Sequence, residues 1–364
     1  MSSGSTGNER GSTGNEPRLH GRGMTEQPTS ETPLGAGREP IHPQRPTPEG
    51  APPRKARSNL ALRLLTAALL IPPLILVIFQ GGLWVLGTVI VISLLGILEF
   101  YHLIEAKGAE PLRGFGIAAA VALPVVVYVG GDYEATLLLS VVLLGLMVAQ
   151  LGKQRIAEAL ASISGTFFGV FYVGWLLSHA VALRGFHDVA SSRFGAEAVA
   201  GMHPDAGAYY LFSTIALVIA GDVGAYFAGR RWGRRKLAPR VSPNKTIEGA
   251  LGAIAAGTAV GLGLKAGFDA FAPELSAALG WWGCALLSPV LAAVGIVGDL
   301  VESLLKRDAQ VKDTGTLLPG MGGVLDRIDS NLLAIPVMYY LLLAYTYLTT
   351  SVPPVPELVG ALTR

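Results

Sequence analysis

From residue 60 onward the chain is cut into apolar windows almost free of charge, each roughly 18 to 24 residues long, about what an α-helix needs to cross a bilayer. Inside hydrocarbon no water can satisfy free backbone groups, and a helix satisfies them within its own segment. Windows this long, without period-two alternation, select helices. We therefore read an all-α, polytopic transmembrane helical bundle. At 51% hydrophobic residues and a mean hydropathy of +0.48 the chain is too apolar for a soluble domain of this size. The single cysteine, Cys284, excludes a disulfide framework.

Nine windows are expected to span: 60–79, 82–100, 114–131, 135–151, 161–183, 207–228, 249–271, 280–300 and 331–350. Pro72, Pro73, Pro124 and Pro336 should kink their helices, which neighbouring helices accommodate. Lys and Arg gather in segment 54–57 and in alternate loops, whereas the other side holds Arg184, Arg193 and Arg364. The positive-inside rule then puts the N-terminus in the cytoplasm and the C-terminus outside. Residues 1–59 are rich in Gly, Ser, Thr, Pro, Glu and Arg and repeat GSTGNE at 4–9 and 11–16. That composition buries too little apolar surface to offset its ordering entropy, so we expect a disordered tail, with Met24 as an alternative start. No cleavable signal pattern accompanies the first window. Residues 60–350 form the membrane-embedded domain, and 351–364 a short C-terminal tail.

Only 15% of residues are charged, yet charge is dense in SLLKRDAQVKDTGTLLPGMGGVLDRIDS, residues 303–330. Just before it, Asp299, Glu302, Ser303 and Lys306 fall at i, i+3, i+4 and i+7, one face of a helix continued from the eighth window. Two carboxylates, a hydroxyl and an ammonium in line suit a cation and a phosphate. A solvated helix end with Glu–Lys pairs would look similar, but Asp299 lies near hydrocarbon, where a carboxylate is costly and usually has a partner. In LDRIDS, Asp326 and Asp329 are three apart, so a helix beginning there points both the same way; acidic first turns are also ordinary helix starts. Mg²⁺ is typically held by one or two carboxylates, with phosphate and water completing its shell, and Asp299 with Asp326 or Asp329 could supply those.

Between these groups lie Lys306, Arg307, Lys312 and Asp313, then glycines 320, 322 and 323, which allow close backbone approach or positive φ. The spacing is not that of a Walker A loop. A second polar segment, GDVGAYFAGRRWGRRKLAPRVSPNKTIEG at 221–249, puts Asp222 inside the sixth window. A buried Asp222 implies a cation, a phosphate-binding Lys or a hydrogen-bond network. Its Arg and Lys cluster is read mainly as a topology and lipid-attracting device. Ser242, Lys245, Thr246 and Glu248 form either a capping arrangement or a hydroxyl and ammonium pair for phosphate oxygens. Glu99 and His102 read as interfacial anchors, and Lys265 as a residue that snorkels outward. His179, His187 and His203 have no metal-ligand spacing.

The 303–330 stretch resembles the signature of the phosphatidate cytidylyltransferases, also called CDP-diacylglycerol synthases. The match carries Ser303, Leu305, Lys306, Arg307, Lys312, Asp313, Gly315, Leu318, Pro319, Gly322, Gly323, Val324, Asp326, Arg327, Ile328 and Asp329 at the family's spacing. The 221–249 segment is similar to a second shared segment, and the likeness covers roughly residues 60–350.

The resemblance implies a membrane enzyme that joins CTP and phosphatidic acid into CDP-diacylglycerol with release of pyrophosphate, using Mg²⁺ or another divalent cation. It makes Asp299, Asp326 and Asp329 metal ligands, with Lys306, Lys312 and Asp313 in the catalytic group. Asp222, Ser242, Lys245, Thr246, Glu248, Ser303, Arg307, Gly322, Gly323 and Arg327 are expected to bind substrate. The partners it implies are CTP, phosphatidic acid and membrane lipids, with no nucleic acid and room for a homodimer. A bacterial inner membrane with the site facing the cytoplasm fits the short loops.

One departure is Met321, where the family usually has His. An imidazole role there is absent or displaced. The nucleophile is a phosphate already carrying negative charge, which needs orientation and neutralisation more than a strong base. The residues alone also admit a CTP-dependent lipid kinase, a cytidylyltransferase for another lipid phosphate, a transporter, or an inactive homologue. The CDP-alcohol phosphotransferase pattern does not occur, and no internal repeat marks a transporter.

Overall fold

Apolar windows become helices because only a helix satisfies all its backbone groups internally. The computed structural model describes residues 56–152, 158–315, 317 and 322–351. The chain runs through α1 (Ala56–Gln80), α2 (Gly82–Ala106), α3 (Arg113–Val129) and α4 (Asp132–Leu151). Then α5 (Ala159–Gly169), a π-helical stretch (Val170–Trp175) and α6 (Leu176–Arg184) form one rod. A short α7 (Phe186–Phe194) leads to α8 (Ala206–Trp232), followed by the antiparallel hairpin β1 (Lys236–Ala238) and β2 (Ser242–Thr246). The chain continues as α9 (Ile247–Phe271), α10 (Pro273–Ser276), α11 (Trp281–Asp308) and α12 (Leu325–Ser351).

Among the described residues, seven segments are long and apolar enough to cross a bilayer: α2, α4, the α5–α6 rod, α8, α9, α11 and α12. That pattern is a multi-pass membrane protein. The other two windows are helical as well: α1, of 25 residues, covers the first, and α3 has 17 residues. Helix length is set where the backbone leaves the helix, at Leu112 and Gly130 for α3, whereas a composition window runs on through the turn. The helices pass unbroken through Pro72, Pro73, Pro124, Pro289 and Pro336. The expected terminal tails lie outside the described residues, except Ala56–Asn59, already in α1, and Ser351, the last residue of α12.

The core is made by α2, α3, α6, α8 and α12, with Phe100, Tyr101, Leu123, Leu183, Tyr209 and Tyr339 among its fully buried side chains. Lipid tails are as apolar as Leu, so helix association rests on packing, which small residues permit. α8 and α9 meet so closely that a Cβ on Gly252 would lie 2.9 Å from the Gly224 carbonyl oxygen. Lys265 does not snorkel. It is 3% exposed, and its Nζ donates to Asp269 Oδ1 at 2.6 Å and to the Ser276 carbonyl at 3.0 Å. α10 supplies that carbonyl, and a paired ammonium inside protein is less costly than one facing hydrocarbon.

Candidate functional site

The two polar segments meet because two long helices, α9 and α11, separate them, so the chain returns to the side it left. Lys245 at the end of β2 forms an ion pair with Asp299 of α11. Arg307 Nε donates to the Val241 carbonyl at 3.3 Å. Between α8, the hairpin, α9 and α11 lies a cleft of about 590 Å³ lined by Asp222, Tyr226, Ser242, Lys245, Thr246 and Asp299. Its volume falls in the range of small-molecule sites, which span roughly 300–1,000 Å³.

At the inner edge of this cleft three carboxylates converge. One oxygen each from Asp299, Glu302 and Asp329 lie within 4.8 Å of one another. The first two share a face of α11 at i and i+3. Asp329 joins them because α12 touches α11 at Gly298, where a Cβ would sit 2.7 Å from the Asp329 carbonyl oxygen.

Glu302 is fully buried. Lys306 Nζ stands 2.6 Å from its Oε2, yet neither Glu302 oxygen has a well-formed hydrogen bond. Tyr172, in the π-helical stretch and 3% exposed, also has a buried hydroxyl without a partner, within the electrostatic reach of Glu302, Asp329 and Asp299. Buried polar groups are nearly always satisfied. Three converging carboxylates, one of them with both oxygens unsatisfied, are the donor set a hard divalent cation takes, so these residues fit one.

Asp326 is set apart from this group. Its Oδ1 accepts from Lys306 Nζ at 2.8 Å, and its Oδ2 accepts from the backbone N–H of Thr314 at 3.1 Å and Gly323 at 2.9 Å. It lies on the first turn of α12 and reaches back over the loop, while Asp329 points into the bundle. Lys306 thus bridges Glu302 and Asp326.

Glu99, expected at the interface, is buried at 6% exposure and organises the same loop. Its Oε1 accepts from the Val324 N–H at 2.9 Å, and its Oε2 from the Leu325 N–H at 2.9 Å and Thr314 Oγ1 at 3.1 Å. The free N–H groups at the start of α12 call for an anion, and Glu99 supplies it from another helix. A Cβ on Gly323 would sit 2.5 Å from Glu99 Oε2, so this glycine makes room for the carboxylate. Gly322 has φ +90° beside Asp326. Glu99 was legible by the burial argument that picked out Asp222 and Asp299; Tyr172, an aromatic in an apolar window, carried no such signal.

The remaining residues divide between cleft and scaffold. Ser303 Oγ is 3.5 Å from Asp299 Oδ1. Thr246 is the N-cap of α9, its Oγ1 accepting from the Gly249 N–H at 3.1 Å while also lining the cleft. Glu248 accepts from the backbone N–H groups of Arg234 at 3.0 Å and Arg235 at 3.2 Å, so it fixes the turn after α8. Lys312 and Asp313 are exposed and bond to no other described residue. Arg327 opens onto a second, apolar cavity. Met321, Leu318 and Pro319 lie outside the described residues.

Residues 61–345 match the model of the cytidylyltransferase family. The chain belongs to the cytidylyltransferase family. Among its relatives, the "Phosphatidate cytidylyltransferase" of Synechocystis sp. is 32% identical over 295 residues, covering 76% of this chain and 94% of that protein. The protein of the same name from Brucella suis is 33% identical over 285 residues, covering 78% of this chain and 93% of the relative. That of Pseudomonas aeruginosa is 49% identical over 134 residues, 37% of this chain and 47% of the relative. The family match takes in both polar segments, the cleft and the carboxylate group.

Proposed function

We propose that this chain is a membrane nucleotidyltransferase that joins CTP to phosphatidic acid, giving CDP-diacylglycerol and pyrophosphate. The single observation that carries the reading is the meeting of the cleft and the Asp299, Glu302 and Asp329 group in a chain similar along most of its length to proteins named for that reaction.

A phosphate oxygen of phosphatidic acid attacks the α-phosphorus of CTP. A new P–O bond forms as the bond from that phosphorus to the bridging α–β oxygen breaks, and pyrophosphate leaves with the electron pair. The attacking phosphate needs no strong base, so the work of the protein is orientation and charge neutralisation. Lys245, with Ser242 beside it on β2, presents an ammonium and a hydroxyl to the triphosphate in the cleft. Lys306 stays fixed between Glu302 and Asp326 and adds positive potential next to the reacting phosphorus.

Asp299, Glu302 and Asp329 would hold the divalent cation, Mg²⁺ or a similar ion. Bound there, such a cation offsets charge on the phosphate oxygens of both substrates. Asp326 acts through Lys306 and the loop, and the exposed Lys312 and Asp313 engage the triphosphate from solvent. Met321, in place of the usual His, leaves the route intact because no step asks for an imidazole.

The Lys and Arg distribution supports nine crossings with the N-terminus cytoplasmic, with α3 as the short one. The site then faces the cytoplasm, where CTP is dissolved, at a bacterial inner membrane, and the lipid enters from the bilayer. Purified protein in detergent, given CTP and phosphatidic acid with and without Mg²⁺, tests the reading. Cation-dependent CDP-diacylglycerol, lost in Asp299→Asn, is the expected result. No product with any divalent cation from a folded protein would overturn it.

A further inference from the structure

The second cavity, about 150 Å³, lies where α1, α2, α6, α8 and α12 converge and has almost wholly apolar walls. Val77, Val89, Ile219 and Ile335 represent four of those helices, and three polar side chains stand in the wall, Thr88 of α2 and, from one face of α12, Arg327 and Asn331. Asn331 is 9% exposed, and its Oδ1 has no hydrogen-bond partner among the described residues. Arg327 forms no side-chain hydrogen bond or ion pair with another described residue. A buried amide oxygen without a partner is costly unless a ligand meets it, and Arg327, exposed at the cavity's edge, holds out a guanidinium that no described residue engages. A ligand with an anionic end and an aliphatic length matches that arrangement.

The cavity also continues the nucleotide cleft. Ile215, Ile219, Asp222 and Tyr226 recur at i, i+4, i+7 and i+11, a single stripe of α8. The first two line the apolar cavity and the last two line the cleft. Ile219 sits three residues, about 4.5 Å along the axis, deeper than Asp222. On α12, Arg327 and Asn331 share the face that lines the cavity, while Asp329, two residues after Arg327, stands on a different face with the carboxylate group.

We infer that this groove is the acyl-chain site of the lipid substrate, with Arg327 receiving the lipid phosphate beside the carboxylate group and one chain lying along Ile219, Val89 and Ile335. This rests on the reaction proposed above and adds the side from which the lipid reaches it. CTP occupies the cleft between α8, α9 and α11, and phosphatidic acid comes from between α1, α2 and α8. The attacking oxygen thus arrives from the face opposite the hairpin.

The test compares dioleoyl- and dihexanoyl-phosphatidic acid as acceptors in mixed micelles. Arg327→Gln should raise the KM for phosphatidic acid roughly tenfold or more, the worth of a hydrogen bond to a charged group, with the KM for CTP within about twofold of the parent. Ile219→Trp, at a half-exposed position, should fill the groove and cut kcat/KM at least tenfold more for the dioleoyl than for the dihexanoyl lipid, roughly one methylene contact after another being lost.

Equal changes in both KM values, or an unmoved chain-length ratio, would overturn the assignment. So would equal losses on both lipids together with a lowered melting temperature, the sign of a structural lipid. If Ile219→Trp does not fold, a phosphatidic acid carrying a mid-chain diazirine is irradiated with the parent protein. Labelling should fall on α2, α8 or α12, and labelling confined to other helices would refute the groove. A parent that makes no CDP-diacylglycerol would bring down the proposed reaction and the groove together, whereas an active parent with unaffected variants would bring down the groove alone.

Discussion

Gly298 of α11 packs directly on the backbone of Asp329 in α12. A Cβ at position 298 would stand 2.7 Å from the Asp329 carbonyl oxygen and 3.0 Å from the Ser330 Cα. Because Asp299 follows Gly298 immediately, the contact that brings the helices together also sets the distance between two of the three carboxylates.

Gly298→Ala should therefore act on chemistry without removing any functional group. Parting the helices displaces Asp329 from Asp299 and Glu302, and a misplacement of about 1 Å can lower turnover by about 100-fold. Steady-state kinetics of the purified variant decide it. Turnover near the parent's, with the variant folded, would show that the helix contact does not set the site.

Glu302→Gln and Asp326→Asn should separate binding a cation from holding the loop. Glu302 lies in the carboxylate group, so its amide variant should weaken Mn²⁺ binding, followed by electron paramagnetic resonance, by more than about 100-fold. Asp326 binds Lys306 and two backbone N–H groups. Its variant should keep Mn²⁺ affinity within about tenfold while losing about 1–3 kcal/mol of stability. The opposite ranking of the two affinities would restore Asp326 to the ligand set.

Tyr172→Phe removes a hydroxyl that has no partner among the described residues. Losing a buried, unsatisfied group does not destabilise a fold by itself, so the variant should melt at or above the parent's temperature. If the hydroxyl supports the cation's ligands, Mn²⁺ affinity should fall about 10–100-fold. Tyr101→Phe is the control, since the Tyr101 hydroxyl donates to the Thr166 carbonyl at 3.2 Å and lies away from the carboxylates. Unchanged affinity in Tyr172→Phe would reduce Tyr172 to a packing residue.

Glu99→Gln should loosen the start of α12. One of the two carboxylate oxygens becomes an NH₂ group facing donors, which costs about 1–3 kcal/mol. Thermal unfolding in detergent and protease cleavage between residues 309 and 324 report the change. Equal protection of that segment in variant and parent would mean that Asp326 alone holds it.

The sequence by itself determined the class of fold, because apolar windows of membrane length leave the backbone only one way to satisfy its hydrogen bonds. It also determined that Asp299, Glu302, Ser303 and Lys306 share a helix face, a relation within one helix that follows from 3.6 residues per turn. Its long polar signature was sufficient to place the chain in its family. What it could not decide were relations between helices. Asp326 and Asp329 stand three apart at the start of α12 and were read as a pair, yet one reaches back to Lys306 and the other enters the bundle. Lys265 was read as snorkelling and is buried against Asp269, because the short α10 folds over it. Glu99 was read as an anchor and proves to cap a helix that begins 226 residues later. Only the tertiary structure decided these, because a buried charge takes the nearest partner in space, and distance along the chain says nothing of what packing brings near.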